Sequence, residues 1–148
     1  MIRRFLHLYW RFSRGMTLGV RGVVLDAGGK VFLVRHGYTP GWHFPGGGVE
    51  PGESLAEALA RELLEEGNLR ITGTPPLHGV FRNAHSSPRD HVAVFVVREF
   101  ESSSPPPPSW EIAEAGFFPL NKLPEGTSEG TRRRLEEILY SAPVSASW

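Results

Sequence analysis

The sequence has no cysteine, no excess of either charge and no long apolar run. Without cysteine there is no disulfide, no thiolate zinc site and no cysteine nucleophile. Lys plus Arg number 16 and Asp plus Glu number 16. The global basic excess of a typical nucleic-acid binder is therefore missing. No apolar stretch nears the roughly 20 residues needed to span a bilayer. The first apolar stretch is broken by His7 and Arg11, and no small-residue cleavage site follows it. That argues against a signal peptide, and the expected location is the cytoplasm. What is present suits one globular domain over residues 1–148, with 40% hydrophobic and 22% charged residues.

Along the chain, Ile2, Phe5, Leu6, Tyr9 and Phe12 recur at helical spacing, with Arg3, His7, Arg11 and Arg14 on another face. Residues 1–14 are expected to form an amphipathic helical extension. It would pack on the domain, on a second subunit in a homodimer, or on an anionic membrane surface. Residues 17–26 and 31–36 are β-branched and apolar, with Ala27, Gly28, Gly29 and Lys30 between them. This predicts a hairpin. Glycine-rich sequence runs from 41 to 52. Ser54 and Glu57 then have capping-box spacing at the start of a helix over 55–66. Strand-like runs occupy 69–73, 77–83 and 91–100. Residues 102–109 hold four consecutive prolines, an extended loop. A short strand over 115–120 and a helix over 127–140, with Leu135, Ile138 and Leu139 inward, close the chain. Mixed strands with helices predict an α/β fold, a central mixed β-sheet with helices on both faces.

The helix over 55–66 carries the most information. At 3.6 residues per turn, Glu62, Glu65 and Glu66 fall within about 100° of one another. They are expected beside an apolar stripe of Ala56, Leu59, Ala60 and Leu63. Like charges at i,i+4 cost about 0.2–0.5 kcal/mol per pair. Acids at the negative end of the helix dipole cost about 0.3–1 kcal/mol each. Either Arg61 relieves this through ordinary helix pairs with Glu57 and Glu65, or a divalent cation does. Clustered carboxylates suit a hard ion such as Mg²⁺ or Mn²⁺.

The loop Trp42-His43-Phe44-Pro45-Gly46-Gly47-Gly48-Val49-Glu50-Pro51-Gly52-Glu53 leads straight into that helix. Gly47, Glu53, Arg61, Glu62, Glu65 and Glu66 resemble the Nudix box in both residue type and spacing. The preceding Trp42-x-x-Pro45-Gly46-Gly47 resembles the usual run-in to it. The family's closing glycine is replaced by Asn68, the second-best residue for a left-handed helix cap. The resemblance covers most of 17–140 and leaves out the N-terminal helix. It implies an α/β/α sandwich around a mixed sheet and a pyrophosphohydrolase acting on a nucleoside diphosphate linked to a group X. It further implies that Glu62, Glu65 and Glu66 are metal ligands together with a backbone carbonyl at Gly47. Glu53 would bind or support the metal, Arg61 would orient the glutamates by pairing with Glu53, and the Gly46, Gly47 and Gly48 backbone would admit the diphosphate.

Hydrolysis also needs a base to activate water. Glu111 and Glu114 are the candidates, with Glu111 preferred, and Glu65 or Glu66 as substitutes. Both could instead be exposed acids at the start of a helix. Arg21, Arg35 and Arg82 are candidates for phosphate contacts, and Trp42, His43 and Phe44 for stacking on a base. The competing functions are a non-catalytic nucleotide-binding module, an isoprenoid diphosphate isomerase, disfavoured because a reactive cysteine is absent, and an RNA 5′-end pyrophosphohydrolase, disfavoured by the neutral charge balance.

Overall fold

The computed structural model describes residues 2–148. In chain order its elements are α1 (Ile2–Ser13), β1 (Thr17–Val24), β2 (Lys30–His36), β3 (Trp42–His43), β4 (Gly46–Gly48) and α2 (Leu55–Gly67). β5 (Leu69–Ile71), β6 (Leu77–Arg82), β7 (Asp90–Val97), β8 (Phe100–Ser102), β9 (Ile112–Pro119) and α3 (Glu129–Tyr140) follow.

The strands form a mixed four-stranded sheet in the order β4-β1-β7-β6, a three-stranded sheet β3-β2-β9, and the small pair β5-β8. β1 and β7 are parallel, and the other pairings are antiparallel. The long strands are buried on both faces, and their alternation sorts side chains into two cores. Val20 and Val24 of β1, Phe32 and Val34 of β2, and Ala93 and Val97 of β7 meet Ala58, Leu59 and Leu63 of α2. Val23, Val31, Leu33, Val92 and Val94 point the other way and meet Leu135 of α3. The period of two within each strand thus places α2 and α3 on opposite faces.

Several boundaries differ from expectation, each for a local reason. β1 and β2 are not a hairpin. The turn between them is closed by the Asp26 carboxylate, which accepts from the amides of Gly28 and Lys30. One bridge, Leu25 to Val31, joins them before each enters a different sheet. The run over 91–100 breaks after Val97, and Phe100 crosses to pair with Ile71. The last strand starts at Ile112, because His36 pairs with Ile112 and Arg35 with Glu114. Glu114 is therefore a strand residue and Glu111 immediately precedes the strand; neither starts a helix. Ser128 caps α3, its hydroxyl accepting from the Thr131 amide at 3.2 Å. No helix among the described residues is long and apolar enough to cross a membrane.

Candidate active site

The glycine loop is itself an edge strand. Gly46, Gly47 and Gly48 pair with Arg21, Val20 and Gly19 of β1. Gly46 has φ of 146°, and a Cβ there would overlap the Val20 carbonyl. A Cβ on Gly47 would overlap the Glu62 carboxylate. The absent side chains let the start of α2's acidic face lie directly on the strand.

α2 begins in the expected capping box, with Ser54 and Glu57 exchanging both hydrogen bonds. It ends on Asn68 in the left-handed conformation, φ 50° and ψ 39°, whose amide donates to the Leu63 and Leu64 carbonyls. Gly67 is still helical, and a glycine suits it because a Cβ there would come within 2.7 Å of the Phe32 ring. The buried stripe differs from expectation. Ala56 and Ala60 are exposed, and the core face is Ala58, Leu59, Glu62, Leu63, Glu66 and Gly67. Glu62 and Glu66 thus lie within the buried stripe, 9% and 4% exposed, whereas the Glu65 side chain is 61% exposed.

Arg61 does not make a helix pair with Glu57. It turns back to the loop, where Nε donates to Glu53 Oε2 at 3.1 Å and Nη2 to Glu53 Oε1 at 2.7 Å. Its Nη2 also reaches the Gly48 carbonyl, and its Nη1 donates to Glu62 Oε1 at 2.7 Å. Glu65 lies 3.6 Å from Nη1. This pairing holds the Glu53 carboxyl below the usual carboxylate range, helped by the Glu50 amide. Glu66 Oε2 accepts from the Gly46 amide at 2.8 Å. Burial nevertheless pushes the Glu66 carboxyl up to about 8, against the opposing pull of that amide and of Arg21. Burial also raises the Glu62 carboxyl, and Arg61 opposes it. Both are buried carboxyls whose charged forms lack enough positive charge nearby.

Glu62, Glu65 and Glu66 share a cleft of about 160 Å³ with Pro106, Ser109 and Glu111. Fold geometry therefore brings Glu111 to the glutamates across 45 residues of sequence. Tyr38 flanks it, its hydroxyl raised by burial and then by the charges of Glu111 and Glu66. Among the described residues, no three acidic or histidine side chains already converge as an ion cage. Glu62 faces Arg61 and Glu66 faces the Gly46 amide. The oxygen-only donor set and its surplus negative charge suit a hard divalent ion. Holding one requires these two carboxylates to rotate toward a common point.

Trp42 lies elsewhere, in a neighbouring hollow of about 270 Å³ with Pro105, Pro108 and Phe118. Its ring packs edge-on to Phe118 at 4.8 Å. Arg35 lines neither cleft. It is paired with Glu114 on the adjacent strand at 2.6 Å, because the register places the two opposite each other. Arg82 is also exposed away from both, since its neighbour Asn83 takes the inward position on β6's exit. Arg21, the third arginine considered for phosphate contacts, lies at the glycine strand. It donates to the Gly46 carbonyl and opens a polar cleft of about 590 Å³ that includes His43, Asn83, Arg133 and Trp148. Arg133 and Trp148 carry no local signal, because chain elements far apart in sequence form that wall.

A family description, the NUDIX domain, matches residues 15–138. The chain is 32% identical over 111 residues to the ADP-ribose pyrophosphatase of Methanocaldococcus jannaschii, covering 69% of this chain and 62% of that protein. It is 46% identical over 50 residues to the putative 8-oxo-dGTP diphosphatase of Bacillus subtilis, covering 34% of each. The matched parts thus span between about a third and three fifths of these relatives. The fold is similar to the crystal structure of a MutT NUDIX hydrolase from Burkholderia pseudomallei, with a TM-score of 0.71 at 23% identity, covering 82% of this chain and 97% of that one. The match over 15–138, with the glycine strand, the acidic face of α2 and the Arg61–Glu53 pair in place, means that this chain belongs to the NUDIX domain family.

Proposed function

We propose that the chain hydrolyses the diphosphate bond of a nucleoside diphosphate linked to a further group X. The observation that carries this reading is the burial of Glu62 and Glu66 against the glycine strand with too little positive charge to balance them. Glu62, Glu65 and Glu66, with the Gly47 carbonyl, would hold a divalent cation, Mg²⁺ or in its place Mn²⁺. That ion would neutralise the diphosphate oxygens during attack.

The remaining roles belong to the chain's own groups. Arg61, locked on Glu53 and the Gly48 carbonyl, fixes the loop against α2 and orients Glu62. Gly46, Gly47 and Gly48 keep the strand free of side chains where the diphosphate must lie. Glu111, at the rim of the same cleft, takes the proton from the attacking water. The larger cleft suits the nucleoside side of the substrate. Arg21 and Arg133 supply cations for phosphate oxygens, and the Trp148 indole offers a flat apolar face. The names of the two curated relatives support a nucleotide substrate. The cytoplasm is the location that goes with this reading, since nucleotide substrates are available there.

The test is a substrate panel. Purified protein with Mg²⁺ is incubated with ADP-ribose, nucleotide sugars, dinucleoside polyphosphates, nucleoside triphosphates and a 5′-triphosphorylated RNA. Phosphate is measured after coupling to a phosphatase for the substrates with no terminal phosphate, and to an inorganic pyrophosphatase for the triphosphates and the RNA. Release from at least one small nucleotide supports the reading. Silence across the panel from folded protein overturns it in favour of a binding module. Release from the RNA alone favours the 5′-end reading. Glu111→Gln is expected to lower turnover at least about 10²-fold with divalent-ion affinity little changed. An unchanged rate removes Glu111 as the base.

A further inference from the structure

α1 stands apart from every other helix. None of its residues is buried. Ile2, Phe5 and Phe12 are 76%, 69% and 76% exposed, and Leu8, Tyr9 and Trp10 are exposed as well. Leaving such side chains in water forgoes burial that the rest of the fold exploits. The NUDIX match begins at residue 15, after the helix ends.

The helix has two unequal sides. At about 100° per residue, Arg3, Arg4, His7, Arg11 and Arg14 fall within an arc of about 100°. Ile2, Phe5, Leu6, Leu8, Tyr9, Trp10 and Phe12 fill an apolar arc of roughly 200°. Residues 1–14 carry four arginines and no acid. Taking those four from the 16 basic residues leaves 12 against 16 acids in the remainder. The helix is thus a cation on a net acidic body.

Those features decide between occupants. A seam between two helices is narrow, two or three positions in seven, with charges of both signs along its flanks. Here the apolar arc is about twice too wide, and a second copy of α1 would bring only more arginine. A lipid surface matches both arcs. The interface takes a wide apolar face with Trp and Tyr at headgroup depth, and anionic headgroups attract the arginines. Twelve residues rise about 18 Å, too short to cross.

We propose that α1 is an in-plane anchor that seats this protein on an anionic lipid bilayer, its apolar arc at the acyl boundary and its arginines among the headgroups. The acidic body does not add to that attraction, so binding depends on the helix alone.

The test uses the full chain floated with phosphatidylcholine vesicles, with and without phosphatidylglycerol. Flotation is expected with the anionic vesicles, weak with the neutral ones and reversed by high salt. Arg3→Gln and Arg11→Gln should each lower the partition coefficient roughly five-fold. Phe5→Ser combined with Phe12→Ser should abolish flotation while leaving the melting temperature unchanged, since neither side chain is buried in the domain. Absence of flotation with either vesicle overturns the proposal. So does a concentration-dependent dimer lost in the Phe5/Phe12 variant, or retention on RNA, when vesicles are not bound. All of these readouts concern location, so they stand or fall independently of the proposed hydrolysis.

Discussion

In α3, Arg134 is fully buried and Glu137 nearly so, yet both charges find partners within the chain. Arg134 lies 2.8 Å from Glu137 Oε1, and Glu137 Oε2 lies 3.0 Å from His78. The guanidinium also donates to the Ser147 carbonyl and sits 4.0 Å over the Phe81 ring. In α2, Glu62 and Glu66 are as deeply placed, but Glu62 has only Arg61, which also serves Glu53, and Glu66 has only the Gly46 amide. Burial lifts both carboxyls. The first network ties the segment before Trp148 to the edge of β6 and pairs its charges within the chain, although burial disfavours the charged guanidinium and leaves Arg134 Nε without a hydrogen-bond partner. The second is left open on the charge side. The charges that the fold pairs internally are structural, and the buried carboxyls that it leaves short of positive charge mark the candidate ligand site.

The comparison can be broken in four places. Glu66→Gln should cut turnover by about 10³-fold or more while the protein stays folded. Near-normal activity would place the cation elsewhere. Arg134→Met should do the reverse, costing about 3–5 kcal/mol in urea unfolding by stranding Glu137. In the surviving folded protein kcat should be unchanged, and a loss of kcat without loss of stability would contradict the division of roles.

The third place is pH. Without divalent ions, the folded chain keeps the Glu66 proton up to about 8, whereas the unfolded chain releases it near 4.5. Between those values the unfolded state binds fewer protons, so stability falls as pH rises, by roughly 5 kcal/mol across the window. Chemical denaturation at several pH values measures it. The slope should flatten in Glu66→Gln, leaving the contributions of Glu62 and Glu53, and a divalent ion should offset it in the native chain. An undiminished slope in Glu66→Gln would assign it to another group.

The smallest effect concerns Asn68. Its side chain donates to the Ser104 carbonyl at 2.8 Å, and its own carbonyl accepts from the Ser103 amide. The helix end is thereby tied to the proline loop whose Pro106 and Pro107 wall the glutamate cleft. Asn68→Gly keeps a residue suited to the left-handed cap but removes the side-chain tie. KM is expected to rise a few-fold with kcat and melting temperature nearly constant. An unchanged KM would make the tie incidental.

Much of this was legible in advance. The capping box and the helix from Leu55 rest on residues within one short stretch, where spacing alone constrains geometry; the left-handed Asn68 and the Arg61–Glu53 pair were legible only through the resemblance to the Nudix box, since spacing alone offered Arg61 helix pairs with Glu57 and Glu65. The edge strand Gly46–Gly48 was not legible, because glycines have no side chains to show a strand pattern. The buried position of Glu62 and Glu66 was hidden for a different reason. A helix wheel gives relative angles, but the face that meets the sheet is chosen by what the sheet offers. Here it offers the bare glycine strand.

By itself, the sequence determined the chemistry available: carboxylate oxygens in one turn of α2, glycines to lie against them, no thiol, and a basic amphipathic segment outside the family pattern. Those follow from residue type and local spacing. Only the tertiary structure decided which charges are balanced. It sent Arg35 to Glu114 through strand register, brought Glu111 to the glutamates by pairing β9 with β2, and set Arg21, Arg133 and Trp148 around one cleft. Charge balance depends on distance and burial, and both are set by which elements pack together.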